Sequence, residues 1–326
     1  MTDPIIDNHG RRMNYLRLSV TDRCNFRCHY CMPAEGIQLV DRTEILSWEE
    51  LYRLSRIFVN QGIEKIRITG GEPFVRKGLP DFLRRISILE DDLSIGITTN
   101  GSLISEHLPR LKSADITLLN FSLDSLRSSG FQTITRRESL EKTLYGLFKS
   151  LEMGFHVKVN MVVMDGLNDQ EIPDFVELTR HHPLTVRFIE AMPFNGNGDS
   201  RRSITGDQIL ERIRNTYPDL VTADTSSGVA INFQVPGYEG NIGIIHGFSR
   251  TFCHTCSRIR VSAEGELRTC LYARPSLDLR SMLRSDATDD EITAAIRTAL
   301  NNRYRDGFAA EAAAREEKKS MVRIGG

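Results

Sequence analysis

At 326 residues the chain has enough material for a large core and for two domains, or for one barrel-like domain with an extension. Its 42 Lys plus Arg against 43 Asp plus Glu leave a formal net charge of −1, so nothing global argues for nucleic acid or an anionic membrane surface, and anion recognition must be local. The six cysteines fall into two triplets, Cys24/Cys28/Cys31 and Cys253/Cys256/Cys270, which argues against a disulfide framework and for metal binding in a reducing compartment. No apolar run approaches membrane-spanning length, and the start, residues 1–12, is polar and broken by Pro4 and Gly10. The expectation is a cytoplasmic chain with no signal peptide and no membrane partner.

The pattern predicts a first strand over Tyr15–Thr21, followed by the loop Cys24-Asn25-Phe26-Arg27-Cys28-His29-Tyr30-Cys31. Three thiolates so close suit three corners of a cubic 4Fe–4S cluster and leave one iron open to a small molecule. A zinc site with a distant fourth ligand, or three incidental thiols, is the alternative. The spacing C-x3-C-x2-C, with Tyr30 before the third cysteine, resembles the signature of the radical S-adenosylmethionine (SAM) enzymes. That resemblance implies that the open iron chelates the amino and carboxylate groups of SAM.

Amphipathic helices are predicted over Trp48–Gln61, Leu79–Leu89 and Ser139–Met153, alternating with strands over Lys65–Thr69, Ser94–Asn100, Ile116–Asp124, Val157–Val163 and Thr185–Ala191. Repeated strand–helix units imply a parallel sheet with helical crossovers, as an open partial barrel or a doubly wound sheet. Several strands are polar on one face: Arg17 and Ser19 oppose Leu16, Leu18 and Val20; Lys65, Arg67 and Thr69 oppose Ile66 and Ile68; Thr98 and Asn100 oppose Ile95 and Ile97; Lys158 and Asn160 oppose Val157 and Val159. A parallel strand buried on both faces reads as apolar throughout, so a ligand cavity inside the barrel is expected, with wet edge strands as the alternative. After the second strand comes Thr69-Gly70-Gly71-Glu72-Pro73, where the glycines allow close backbone approach and Glu72 is expected to accept from an ammonium group. This segment resembles the one with which radical SAM enzymes hold the methionyl amine. By the same resemblance Tyr30, Gly71, Glu72, Asn100, Ser122 and Met192 are the cofactor-binding residues, Tyr30 through its backbone.

The turn-rich 195–200 marks a soft boundary near residue 200, dividing a barrel of 1–200 from a C-terminal region of 201–326. There a helix is predicted over Thr205–Thr216, short strands within Val229–Gly247, a helix over Asp289–Asn301, and a solvated helix-prone stretch over Phe308–Ser320. The second triplet, C-x2-C-x13-C, is again one thiolate short of closed coordination; structural zinc with His254 or a distant ligand is the bland reading. Ser257-Arg258-Ile259-Arg260 places two arginines on one strand face beside it, which suits a polyanion. With Arg17, Lys65, Arg67, Lys158 and Arg187 they suggest a nucleoside triphosphate held without a P-loop, since no G-x-x-x-x-G-K-[ST] run occurs. The end, Met321-Val322-Arg323-Ile324-Gly325-Gly326, is thin enough to thread into a cavity, or is a free terminus.

Residues 15–33, the second triplet with its Ser-Arg-Ile-Arg, and the Gly-Gly end together are similar to the GTP 3′,8-cyclase family, and the likeness runs from Arg11 to Gly326. It implies an α/β fold, a partial (β/α)6 radical SAM barrel whose C-terminal extension carries a second cluster and closes the barrel mouth. It also implies two 4Fe–4S clusters, the metal ligands being Cys24, Cys28, Cys31, Cys253, Cys256 and Cys270, with SAM at the first and the guanine of GTP at the second. Arg17, Lys65, Arg67, Thr98, Lys158, Arg258 and Arg260 are the expected substrate-binding residues, Arg258 and Arg260 also the catalytic ones. The implied partners are a flavodoxin-like electron donor and the cyclic pyranopterin monophosphate synthase that takes the product; a homodimer is left open. Two departures from the family stand out: Asp199 follows Gly-Asn-Gly where an aromatic residue is usual, and 244–252 reads Ile-Ile-His-Gly-Phe-Ser-Arg-Thr-Phe where Ser-Pro more often follows the aliphatics. The rival readings are a radical SAM enzyme acting on another substrate and a non-catalytic zinc-binding adaptor or nucleotide sensor.

Overall fold

The computed structural model describes residues 4–192, 194, 204–223, 228–314 and 320–325. Six parallel strands, β1 (Tyr15–Ser19), β2 (Lys65–Thr69), β3 (Ser94–Thr99), β4 (Leu118–Ser122), β5 (His156–Val163) and β6 (Thr185–Glu190), form the centre of one sheet. The C-terminal region extends that sheet at both edges. Beyond β6 lie β7 (Val221–Thr222), β8 (Ile231–Gln234) and β9 (Asn241–Ile245); beyond β1 lie β10 (Arg258–Val261), β11 (Glu266–Arg268) and β12 (Leu277–Asp278). The order is β12-β11-β10-β1-β2-β3-β4-β5-β6-β9-β8-β7, with β10 parallel to β1 and β9 parallel to β6. The outermost strands do not pair with one another, so the barrel stays open, and the sheet runs without a break across residue 200.

The helices are α1 (Trp48–Asn60), α2 (Leu79–Ile86), α3 (Leu108–Ser113), α4 (Ser128–Thr135), α5 (Leu140–Glu152), α6 (Ile172–Glu177), α7 (Gly206–Thr216), α8 (Leu279–Arg284), α9 (Asp289–Asn301), α10 (Gly307–Ala314) and α11 (Met321–Ile324). Three start where capping boxes begin them: Ser47 with Glu50, Thr205 with Gln208 and Thr288 with Glu291, each such cap contributing about 1 kcal/mol. Leu51, Leu54, Ile57 and Phe58 of α1 pack onto the outer face of the sheet, where Leu16, Leu18, Ile66 and Ile68 are fully buried. The short α3, α4 and α6 do not show as separate periodic patterns in the sequence, because six or eight residues make too few turns. The helix-prone, solvated stretch expected from Phe308 is α10 over its described part, residues 308–314, exposed apart from buried Ala310 and partly buried Ala314. Among the described residues no helix is long and apolar enough to cross a membrane.

Candidate active site

Inside the open barrel lies a cavity of about 730 Å³ whose walls come from both halves of the chain. Nine cationic side chains line it and, among the described residues, no carboxylate does. Every predicted site residue lines this one space except Glu72.

The cationic wall follows from strand register. Arg17 of β1 lies directly beside Arg67 of β2 and Arg260 of β10, and Arg260 beside Arg268 of β11, so four arginines share one row on the interior face. Arg268 is turned aside onto Glu266 (3.1 Å) and the Ala273 carbonyl (2.7 Å). Gly96 makes room for the row: a β-carbon there would stand 2.4 Å from Arg67 Nη1. Higher up the barrel Thr98, Asn120 and Lys158 sit side by side, then Ser122, Asn160 and Arg187. Burial and the positive charges of Arg187, Lys65 and Arg67 bring the Lys158 ammonium down to about 8. Tyr15, absent from the expected site although it shares the phase of Arg17, stands among these charges. Burial would push its phenol up, but Arg67, Arg17 and Lys65 bring it down to about 7. Thr98 Oγ1, Asn160 Oδ1 and Arg187 Nε are buried here without a partner. A wall so rich in cations, with orphaned polar atoms among them, costs stability in the empty protein, and a bound polyanion would offset it.

The first triplet occupies the loop after β1. The glycines serve the loop more than a ligand: Gly71 N–H donates to the Thr21 carbonyl (2.8 Å) and Glu72 N–H to the Arg23 carbonyl (2.9 Å). A β-carbon on Gly71 would lie 2.2 Å from the Arg23 carbonyl oxygen, so any larger residue would push the cysteine loop away. Glu72 stands outside the cavity wall. Its carboxylate is fully buried behind the loop and accepts from Phe74 N–H (3.1 Å), Thr99 Oγ1 (2.8 Å) and Asn100 N–H (2.7 Å), and burial raises it to about 7. It ties the loop to the end of β3. Asn100 donates to Asn25 Oδ1 (2.8 Å), and Tyr30 donates its hydroxyl to Asp124 (2.9 Å). Burial, with the Cys24 thiol and Asp124 adding to it, pushes Cys31 up to about 12.

The second triplet lies across the cavity. Arg258 Nε and Arg303 Nη2 each donate to Cys256 Sγ at 3.3 Å, and Gly307 N–H donates to Cys253 Sγ at 3.4 Å. Burial would raise Cys256; the two guanidiniums lower it to about 6. Arg258, expected to act on substrate, is thus engaged at least in part by this thiol. Among the described residues no three His, Cys, Asp or Glu converge as ligands of one ion would. Ligands of a cube bind different irons and stand farther apart, so the two all-thiol sets fit clusters better than the zinc alternative.

The departing segment 244–252 is held by a residue that sequence reasoning missed. Glu190, at the end of β6, accepts from Gly206 N–H (2.7 Å), Phe248 N–H (2.9 Å), Ser249 N–H (2.7 Å) and Ser249 Oγ (2.8 Å). It fastens β6, α7 and the loop together, and a lone Glu at a strand end carries no signal of this. Arg250 lies between the Tyr272 ring (3.6 Å) and the Phe308 ring (4.3 Å). Asp199 lies outside the described residues. The C-terminal segment does turn inward. Met321 and Val322 line the cavity, Ser320 Oγ donates to the Cys31 carbonyl (2.5 Å), Val322 N–H donates toward the Cys31 thiol, and Gly325 accepts from Thr69 Oγ1 (2.9 Å). Gly326 lies outside the described residues.

A model of the radical SAM superfamily matches residues 18–179, and one described as Molybdenum Cofactor Synthesis C matches 184–308. The chain is 44% identical over 328 residues to the GTP 3′,8-cyclase of Geobacter sulfurreducens, covering 99% of each. It is 40% identical to the Molybdenum cofactor biosynthesis protein 1 of Mus musculus, covering 98% of this chain and 51% of that one, so it spans about half the length of such relatives. The crystal structure of Streptococcus suis SuiB bound to S-adenosylmethionine shares the fold, with a TM-score of 0.59 at 14% identity over 90% of this chain and 70% of that one.

Proposed function

The chain belongs to the GTP 3′,8-cyclase family of radical SAM enzymes, and from that premise we propose that it converts GTP to (8S)-3′,8-cyclo-7,8-dihydroguanosine 5′-triphosphate, the first step of molybdenum cofactor biosynthesis. The observation that carries this reading is a single cavity with a cysteine triplet on each side and nine cations but no described carboxylate in its wall. Cys24, Cys28 and Cys31 would hold a 4Fe–4S cluster at which SAM binds, and Cys253, Cys256 and Cys270 a second one at which the guanine binds. The chemistry these groups supply when bound is one-electron cleavage of SAM to methionine and a 5′-deoxyadenosyl radical, the agent that removes the 3′ hydrogen of GTP.

The protein's part is to hold and to exclude. Lys65, Arg67, Lys158 and Arg187 would pair with triphosphate oxygens, which an Arg fork engages two at a time. Arg17 and Arg260, neighbours in register, would reach the sugar and base between the two centres. Gly71, Asn100, Ser122 and Met192 would line the SAM half, where the Thr99–Asn100 end of β3 is held in place by buried Glu72. Fixing both reactants removes the entropy cost of their encounter, and the inserted C-terminal segment keeps water from the reacting carbon. C3′ then joins C8, and one electron and one proton complete the product. The reading places the protein in the cytoplasm, supplied by a flavodoxin-like donor and followed by the cyclic pyranopterin monophosphate synthase. Residues 1–200 would form the SAM-binding part and 201–326 the guanine-binding part.

Anaerobic purification should give a brown protein with about eight irons per chain. With dithionite, SAM and GTP it should form 5′-deoxyadenosine and a product of the mass of GTP. A colourless zinc protein would sink the reading. SAM cleavage that ignores GTP would leave a radical SAM enzyme with another substrate.

A further inference from the structure

We infer that Arg303, held by an N-terminal clasp centred on Asp7, sets the reduction potential of the second cysteine centre above that of the first; this rests on the reading that Cys253, Cys256 and Cys270 hold a 4Fe–4S cluster. Arg303 lies in the loop between α9 and α10 and is 4% exposed. Its Nη2 donates to Cys256 Sγ (3.3 Å) and its Nη1 to the Cys256 carbonyl (3.0 Å), so the guanidinium plane faces one ligand residue with both arms.

What aims it is the segment before β1. Asp7, also 4% exposed, accepts from Arg303 Nη1 (3.4 Å), Arg11 Nε (2.7 Å), Arg11 N–H (2.9 Å) and His9 N–H (2.9 Å). Arg11 Nη1 in turn donates to the carbonyls of Cys253 (2.9 Å) and Arg305 (2.8 Å), and His9 Nε2 is hydrogen-bonded to the Arg303 carbonyl (2.9 Å). One buried carboxylate therefore links the second cysteine loop, the 303–307 loop and the N-terminal segment. The same 303–307 loop supplies Gly307 N–H to Cys253 Sγ (3.4 Å).

Reduction of such a cube adds one electron and no proton, so the reduced form carries one more negative charge. N–H donors and positive charge at the ligating sulfurs stabilise that form and raise the potential. At the first triplet no guanidinium hydrogen bond reaches a sulfur among the described residues. Cys24 Sγ accepts from Phe26 N–H (3.3 Å) and from the Asn100 side chain with Arg27 nearby, Cys31 from Val322 N–H, and the buried carboxylates Asp124 and Glu72 lie near.

The test is a potentiometric titration with dithionite, followed by electron paramagnetic resonance, on the full iron-loaded chain and on Arg303→Gln and Arg303→Lys. The two signals are assigned with a chain lacking Cys24, Cys28 and Cys31. The expected result is a second-centre midpoint above the first in the unaltered chain. In Arg303→Gln it shifts to more negative potential while the first stays in place, and Arg303→Lys falls between. An unmoved second midpoint in Arg303→Gln with full iron overturns the inference. If Arg303→Gln loses its second-site iron, Arg303→Lys decides by the same criterion, and loss of that iron in both shows a structural clasp and overturns it as well. An unaltered chain without second-site iron contradicts the functional reading instead, so failure of the clasp and failure of the cluster assignment give different results.

Discussion

The two cysteine centres share a cavity and a ligand count and differ in what surrounds them. The first is flanked by acid: Asp124 is buried against Tyr30, Glu72 lies behind the loop, and burial with these neighbours keeps Cys24 near 11 and Cys31 near 12. The second is flanked by base, with Arg258 and Arg303 on Cys256. The first site is thus poorly disposed to carry negative charge until iron compensates it, whereas at the second, one ligand, Cys256, is prepared for charge in advance although burial raises Cys253. A centre that must give an electron away benefits from an acidic, low-dielectric setting; one that anchors substrate and accepts an electron benefits from arginines. The same division assigns unequal consequences to similar mutations.

The largest effect should separate the triplets outright. Replacing Cys24, Cys28 or Cys31 by Ala should abolish 5′-deoxyadenosine formation under dithionite, because losing one of three ligands releases the cube. Replacing Cys253, Cys256 or Cys270 should leave uncoupled SAM cleavage while removing the cyclised product. Chromatography of both products from one reaction checks this, and equal loss of SAM cleavage in the two sets would erase the distinction.

A second perturbation acts on the first centre alone. Val322, Ile324 and Gly325 are buried, and the segment reaches Cys31 and Thr69. Gly325 adopts φ +87, and its position for a β-carbon lies 3.2 Å from Ser19 Cβ, so side chains are unwelcome there. Deleting residues 325–326 removes little apolar surface and should leave Tm and iron content unchanged while GTP-dependent 5′-deoxyadenosine formation collapses. A peptide Met-Val-Arg-Ile-Gly-Gly should restore part of it, weakly, since it lacks the advantage of tethering. Wild-type turnover in the truncated chain would reduce the segment to an ordinary terminus.

The smallest effect concerns the ground between the centres. Lys158 is held near 8 by burial and its cationic neighbours, and a bound triphosphate should raise it, so the proposed GTP binding is expected to take up a proton once the pH exceeds that value. The contribution of Lys158 to affinity should be full below about pH 8 and fall as pH rises through it, by up to about tenfold per pH unit. Lys158→Met should weaken GTP binding on the order of tenfold at about pH 7, flatten the alkaline decline, and raise the Tm of the ligand-free protein by removing a like charge from beside Arg187 and Lys65. Calorimetry at several pH values measures the first two and a melting curve the third. A variant with unchanged affinity and slope would make this wall a mere solvated face.

Local chemistry was legible wherever it is written in consecutive residues. The C-x3-C-x2-C loop, the Gly-Gly turn, and the alternation of Arg17 with Leu16 and Leu18 each announce themselves, because a strand's two-residue period assigns faces without knowledge of the partner strand. The expected strands lie within two residues of those observed over β1–β6. Register was not legible. That Arg260 lies beside Arg17, and Arg17 beside Arg67, depends on β10 entering the sheet parallel to β1 from some 240 residues away in sequence. The partners of Glu72 were hidden for the same reason: its sequence neighbours suggest a ligand contact, while Thr99 and Asn100, distant in sequence, hydrogen-bond both oxygens.

By itself, then, the order of residues determined the donor atoms, the polar face of each strand and the family resemblance, since these depend on local spacing and on side-chain type. Only the tertiary structure decided which cations share a row, that the C-terminal segment reaches the first centre, and that Asp7 and Arg303, at opposite ends of the chain, meet at the second. These are contacts between elements, and a pair of charges has an energy only once the fold has set the distance between them and removed the water around them.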